Sequence, residues 1–122
     1  MKSGLLIDVR SDSYGKYQSF QKQMPDRQIM NWRDEANRPS NLSNISYAVG
    51  WHPEPGLFAS MPDLKVMFSI GAGVDHMLQD PTLPDLPLVR FVDSTLTSRM
   101  SEWICLQCLL HLRQQPAYDR QQ

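Results

Sequence analysis

The densest chemical signal in the sequence is Gly71-Ala72-Gly73-Val74-Asp75, which follows the apolar run Leu64–Ile70 directly. Glycines let a backbone approach a ligand closely or take positive φ. Where a buried parallel strand hands over to a helix, free backbone N–H groups form a site for an anion. A carboxylate or a phosphate would suit it, and substituting a bulky residue at Gly73 is expected to weaken carboxylate binding. A tight strand-to-helix turn explains the same glycines without any ligand. A dinucleotide fingerprint would need a further glycine at position 76, where His76 stands, and no lysine completes a phosphate loop.

Trp51-His52-Pro53 ends another apolar run, so it is expected on the same rim of a sheet as the glycine turn. Trp51 would form an apolar pocket wall and His52 a hydrogen-bond donor. The plainer alternative is an aromatic that closes the core, with His52 in a solvent loop. His76 and His111 have no partner at metal-ligand spacing, so no metal is expected. His111 reads as a polar break in a buried helix face. Cys105 and Cys108 have the spacing of a thiol redox pair, but they fall inside an apolar helix, where burial favours the neutral thiol. They read as inert core residues that cannot staple distant parts of the fold. Asp8 and Asp12 suggest a phospho-acceptor site only weakly, since no paired acid and no strand-end lysine accompany them.

The elements that must position these residues follow from apolar periodicity. Leu5–Val9, Gln28–Trp32, Ser46–Trp51, Leu64–Ile70 and Leu88–Val92 are short apolar runs bounded by turn formers, which predicts five strands. Tyr14–Met24 spaces Tyr14, Tyr17, Phe20 and Met24 as one helix face, and Pro25 stops it. Arg33–Asn44 is a polar surface loop with room for one helical turn. Ser98–Arg113 predicts the longest helix, capped by Thr97 or Ser98 ahead of Glu102 and ended by Pro116. Strands alternating with crossover segments predict a flavodoxin-like α/β three-layer sandwich on a parallel five-stranded sheet.

The last helix does not suit a self-contained domain. Met100, Trp103, Ile104, Leu106, Leu109, Leu110 and Leu112 leave it apolar nearly all round, which calls for burial on all sides. Residues 114–122 are polar and read as the start of a linker.

With 122 residues, 41% hydrophobic and 20% charged, the composition is that of one soluble globular domain. A net charge of -1, from 12 basic and 13 acidic residues, gives no electrostatic reason for a nucleic-acid or anionic-membrane partner. No apolar run approaches a membrane span, and Leu5-Leu6-Ile7 is too short for a signal segment, so a cytoplasmic location is expected.

Four stretches carry a family resemblance: Ala48–Pro53, Leu64–Leu78, Pro87–Asp93 and Met100-Ser101-Glu102-Trp103. In order and spacing they resemble the amino-terminal half of the D-isomer-specific 2-hydroxyacid dehydrogenases, in particular the glyoxylate/hydroxypyruvate reductase A group. The resemblance implies a substrate-binding domain over residues 1–113, with 114–122 leading toward an NAD(P)-binding domain outside this chain. It implies that Ala72, Gly73 and Val74 offer N–H groups to the carboxylate of a small 2-oxoacid or 2-hydroxyacid. It further implies that Trp51 lines the pocket, that Met100 lies near the nicotinamide, and that Glu102 is structural. NAD or NADP would serve the full-length enzyme, reducing C2 of glyoxylate or hydroxypyruvate while a histidine protonates the oxygen.

The family's catalytic arginine, glutamate and histidine, and its GxGxxG, have no counterpart here; His52 and His76 do not occupy the histidine's position. The chain alone is therefore expected to bind no cofactor and to lack activity. A homodimer is expected, with the cofactor domain or a second subunit covering the 98–113 helix. The alternative is a non-enzymatic flavodoxin-like module for dimerisation or partner docking.

Overall fold

A computed structural model describes residues 2–10 and 13–122; Asp12, one half of the weak phospho-acceptor suggestion, lies outside them. Two compact units are present, Met1–Phe91 and Val92–Gln122. The first holds five parallel strands: β1 (Lys2–Val9), β2 (Arg27–Asn31), β3 (Ile45–Trp51), β4 (Val66–Ser69) and β5 (Leu88–Arg90). Their order is β2-β1-β3-β4-β5, that of a flavodoxin-like sheet. Leu6 stands opposite both Met30 and Ala48, Val49 opposite Phe68, and Phe68 opposite Val89.

Strand β1 is an interior strand, and from Leu5 to Val9 it is apolar except at Asp8 because both of its faces are covered. With side chains alternating between faces, Leu6, Ala48 and Met67 pack with Leu57, Phe58, Met61, Leu64 and Met77 on one side. Leu5, Ile7, Val9, Ile29 and Val49 pack with Tyr17, Phe20 and Met24 on the other. Helix α1 (Ser13–Gln23) carries Tyr17 and Phe20, and Met24 follows directly after its end. Handedness explains the division. The step from β1 to β2 runs one way across the sheet and all later steps run the other way, so right-handed crossovers put their connections on opposite faces.

The layer opposite α1 is thin. It consists of a 3-10 turn at Phe58–Ser60, the four-residue α2 (Asp75–Leu78) and the loops around them. The predicted turn in the polar loop is present as a 3-10 turn at Glu35–Asn37.

The second unit corrects two expectations. Helix α3 runs over Ser94–Leu112, one turn earlier than Thr97 or Ser98 capping predicted. Asp93 is the cap: its backbone is extended and its carboxylate accepts from the Thr95 N–H at 2.8 Å. The Thr97 hydroxyl instead donates back to the Asp93 carbonyl, a bond made inside a helix. Pro116 does not end α3. The helix stops because Gln114 takes a left-handed backbone (φ 57°), the task glycine commonly performs. Pro116 instead opens α4 (Gln115–Asp119), in the first turn where its missing N–H goes unused. The predicted linker thus contains a helical turn.

No residue of α3 is buried, and Met100, Trp103, Ile104, Leu106 and Leu109 are each more than half exposed. Cys105 and Cys108 are free thiols at the surface, not core residues, and His111 is exposed as well. The inert-core reading fails because a helix that is apolar on every side finds no cover of its own. Among the described residues, no helix is long and apolar enough to cross a membrane.

Candidate functional site

The carboxyl ends of β1, β3 and β4 meet on one rim of the sheet, where parallel α/β folds place their ligands. Strand β4 ends in buried Ser69, a residue that the sequence reading passed over. Its hydroxyl accepts from the Gly71 N–H at 3.3 Å and donates to the Gly73 carbonyl at 3.2 Å, so one side chain knits the turn from within. The Phe91 N–H donates to the Gly71 carbonyl at 3.1 Å and ties the turn to the end of β5. The Val74 carbonyl accepts from Met77 and Leu78, which closes the far end.

What remains open are the amides of Ala72, Gly73 and Val74, which donate to no acceptor among the described residues. Ala72 and Gly73 are exposed and Val74 is half-buried. A short row of outward N–H groups is suited to a small anion. The helix dipole adds little, because α2 is a single turn.

Gly71 and Gly73 play different parts. A Cβ on Gly71 would stand 2.4 Å from the Trp51 ring, whereas one on Gly73 would meet only the Asp75 carboxylate, at 4.0 Å. The Cζ3 edge of the indole lies against the turn, and only a glycine at 71 leaves it room. Trp51 is half-buried and continues into an aromatic cluster. Its ring lies 4.6 Å from the His76 ring and 5.3 Å from the His52 ring, with the two imidazoles 4.7 Å apart. Trp51, His52 and the glycine turn therefore do share one rim, as their strand-end positions imply. Met100 stands on α3, in the second unit, with its side chain exposed.

Burial lowers the His76 pKa from its ordinary value, the neighbouring His52 lowers it further, and Asp75 opposes both. Its Nε2 is shielded and unpaired. A depressed pKa means that stability tied to neutral His76 is present above pH 6.5 and lost as pH falls through the folded-state value. Unfolding by urea at pH 7 and pH 5 should show this loss in the wild-type chain and a smaller one in His76→Asn. Equal losses would contradict a shielded imidazole.

Two hollows flank the rim. One of about 450 Å³ is lined by Arg10, His52, Glu54, His76 and Asp80 among others. Another of about 580 Å³ lies over Phe20, Met24, Tyr47, Phe68, Ile70 and Phe91, with Lys16 and Arg27 also in its lining. Among the described residues no group of three or more His, Cys, Asp or Glu could hold a metal ion. Nor do the residues fit a dinucleotide: position 76 carries an imidazole, and the helix that would face a pyrophosphate is one turn long.

No family model matches the chain. The glyoxylate/hydroxypyruvate reductase A of Yersinia enterocolitica (serotype O:8 / biotype 1B) is 33% identical over 109 residues, covering 84% of this chain and 33% of the relative. The NADPH-dependent glyoxylate/hydroxypyruvate reductase of Sinorhizobium meliloti, solved with NADP and sulfate, superposes with a TM-score of 0.80 at 50% identity, over 97% of this chain and 37% of that one. A probable 2-hydroxyacid dehydrogenase from Rhizobium etli CFN 42, solved with NADP, HEPES and tartaric acid, gives 0.84 at 45% identity, over 98% and 38%. The chain thus spans a third to two fifths of the length of these relatives.

Proposed function

Because this chain belongs to the D-isomer-specific 2-hydroxyacid dehydrogenases, over a domain-sized part of their length, we propose that it is the substrate-binding domain of an NAD(P)H-dependent 2-oxoacid reductase. The observation that carries this reading is the open row of amides at Ala72, Gly73 and Val74 beside the Trp51 ring. A carboxylate seated there accepts from backbone N–H groups whose direction Ser69 and Phe91 already set, so little reorganisation accompanies binding. Trp51 supplies an apolar wall for a two- or three-carbon acid such as glyoxylate or hydroxypyruvate. The substrate domain spans residues 1–113, and 114–122 lead toward a cofactor domain.

Binding NAD or NADP, carrying the hydride and protonating C2 oxygen belong to sequence outside these 122 residues, with Met100 near the nicotinamide. The apolar faces of α3 suit burial against that cofactor domain or a second subunit, in a homodimer. The same helix favours the alternative of a docking module without enzymatic role, which predicts no response of the glycine turn to a carboxylate.

Titration of the 15N-labelled chain with glyoxylate decides between them. Saturable shifts of the Ala72, Gly73 and Val74 amides are expected, with Kd on the order of millimolar for capture by backbone donors alone. Shifts absent there, or spread evenly over the surface, would refute the carboxylate site. The isolated chain should show no NADH or NADPH oxidation with glyoxylate, and measurable turnover would overturn the assignment of catalysis to sequence outside it.

A further inference from the structure

Asp8, near the end of β1, is fully buried, an unusual place for a carboxylate. Moving such a group out of water is costly unless partners replace the water. Two partners do. Arg33 Nε, on the loop after β2, stands 2.5 Å from Oδ1 in an ion pair whose N–H is not aligned for a hydrogen bond. The Glu54 N–H, on the loop after β3, donates to Oδ2 at 2.6 Å. One buried carboxylate therefore ties the interior strand β1 to the loops leaving both of its sheet neighbours.

The β3 loop so held is strained. His52 has φ 52°, a left-handed backbone that a residue with a large side chain rarely adopts without support from its surroundings. Its carbonyl accepts from Arg10 Nε at 3.1 Å and from an Arg33 terminal nitrogen at 3.4 Å. The Arg10 N–H donates to the Trp51 carbonyl at 3.3 Å, and the Trp32 indole N–H donates to the Glu54 carboxylate at 2.7 Å. All of these contacts converge on residues 51–54, whose backbone aims the Trp51 ring at Gly71. A buried ion pair is poor at adding stability, and apolar replacement is often neutral, so its use here is better sought in position.

We propose that Asp8, with Arg33 and Arg10, is a positioning residue: the buried clamp holds the left-handed turn at His52 and so keeps the Trp51 ring laid on Gly71, beside the amides of residues 72–74. The functional half of this inference rests on the carboxylate reading of that turn; the conformational half does not.

The test uses the 122-residue chain as wild type, Asp8→Asn and the milder Arg10→Ala, followed by NMR. In the wild type the ring current of Trp51 displaces the Gly71 Hα resonances from their ordinary positions. In Asp8→Asn these resonances should return toward the ordinary values and the glyoxylate Kd should rise about tenfold; Arg10→Ala should move both in the same direction by less. Unchanged Gly71 Hα positions in a folded Asp8→Asn would overturn the clamp, as would weaker binding without any Gly71 change. If Asp8→Asn does not fold, Arg10→Ala decides alone, and unshifted Gly71 resonances there refute the proposal. Absence of glyoxylate binding by the wild type refutes the carboxylate site and leaves the Gly71 resonances to decide the clamp.

Discussion

Gly71→Ala should destabilise the chain by about 1–3 kcal/mol, the usual consequence of forcing an extra methyl into a packed site, while Gly73→Ala stays within about 0.5 kcal/mol of wild type. The two glycines are separated by a single residue, and nothing in their local sequence distinguishes them. The difference is the Trp51 ring, which a Cβ at 71 would meet at 2.4 Å. The indole cannot swing aside freely, because His76 and His52 pack against it. Gly73 has open space, so there the substituent crowds no protein atom and would meet only the carboxylate proposed to bind the turn. Gly73→Leu should accordingly weaken glyoxylate binding at the turn amides with little loss of stability. Urea unfolding of both alanine variants, with the same titration, checks the pair. A stable Gly71→Ala beside an unstable Gly73→Ala would mean that the indole does not lie on the turn.

Arg33→Met should destabilise the chain by about 3 kcal/mol at neutral pH, because a buried carboxylate then loses its cation. Arg33 is 28% exposed and Asp8 0%, so the carboxylate bears nearly all of the desolvation. Burial already pushes the Asp8 pKa above its ordinary value, against the lowering effect of the Glu54 N–H and Arg33. A carboxyl whose folded-state pKa is raised favours the folded protein while protonated, at low pH, and that contribution is lost as pH rises through the folded-state value. Without Arg33 the pKa rises further, so the deficit of Arg33→Met should shrink on acidification. Urea unfolding from pH 7 down to pH 4 measures it, and a deficit independent of pH would show that Asp8 is not the group left exposed to the loss. The double variant Asp8→Leu/Arg33→Met should recover most of the stability. It should not recover the Gly71 resonance positions, which separates cohesion from placement.

The order of elements was legible because local chemistry and tertiary role agree in the sheet. A strand covered on both faces must be apolar at nearly every position, and Leu5–Val9 reads that way without any structure. The glycine turn was legible for a similar reason, since Gly-Ala-Gly after an apolar strand frees the backbone to turn locally. Helix boundaries were less so. Asp93 and Thr97 are both acceptable caps, and the extended backbone at 93 selects between them. The sequence context of Pro116 suits the end of one helix as well as the start of another. The left-handed residue that settles the matter is Gln114, a type with no marked preference for that conformation.

For the site, residue types alone indicated the turn at 71–75 and the lack of a dinucleotide fingerprint, because each of these depends on neighbours along the chain. Only the tertiary structure set the indole on Gly71, made Ser69 the internal tie of the turn, and buried Asp8 between Arg33 and the Glu54 amide. Those contacts join residues from different strand ends, brought within hydrogen-bond reach by parallel pairing around β1. Local sequence prescribes periodicity and turn chemistry; which charge is buried, and which glycine must remain glycine, is decided by what the sheet sets beside it.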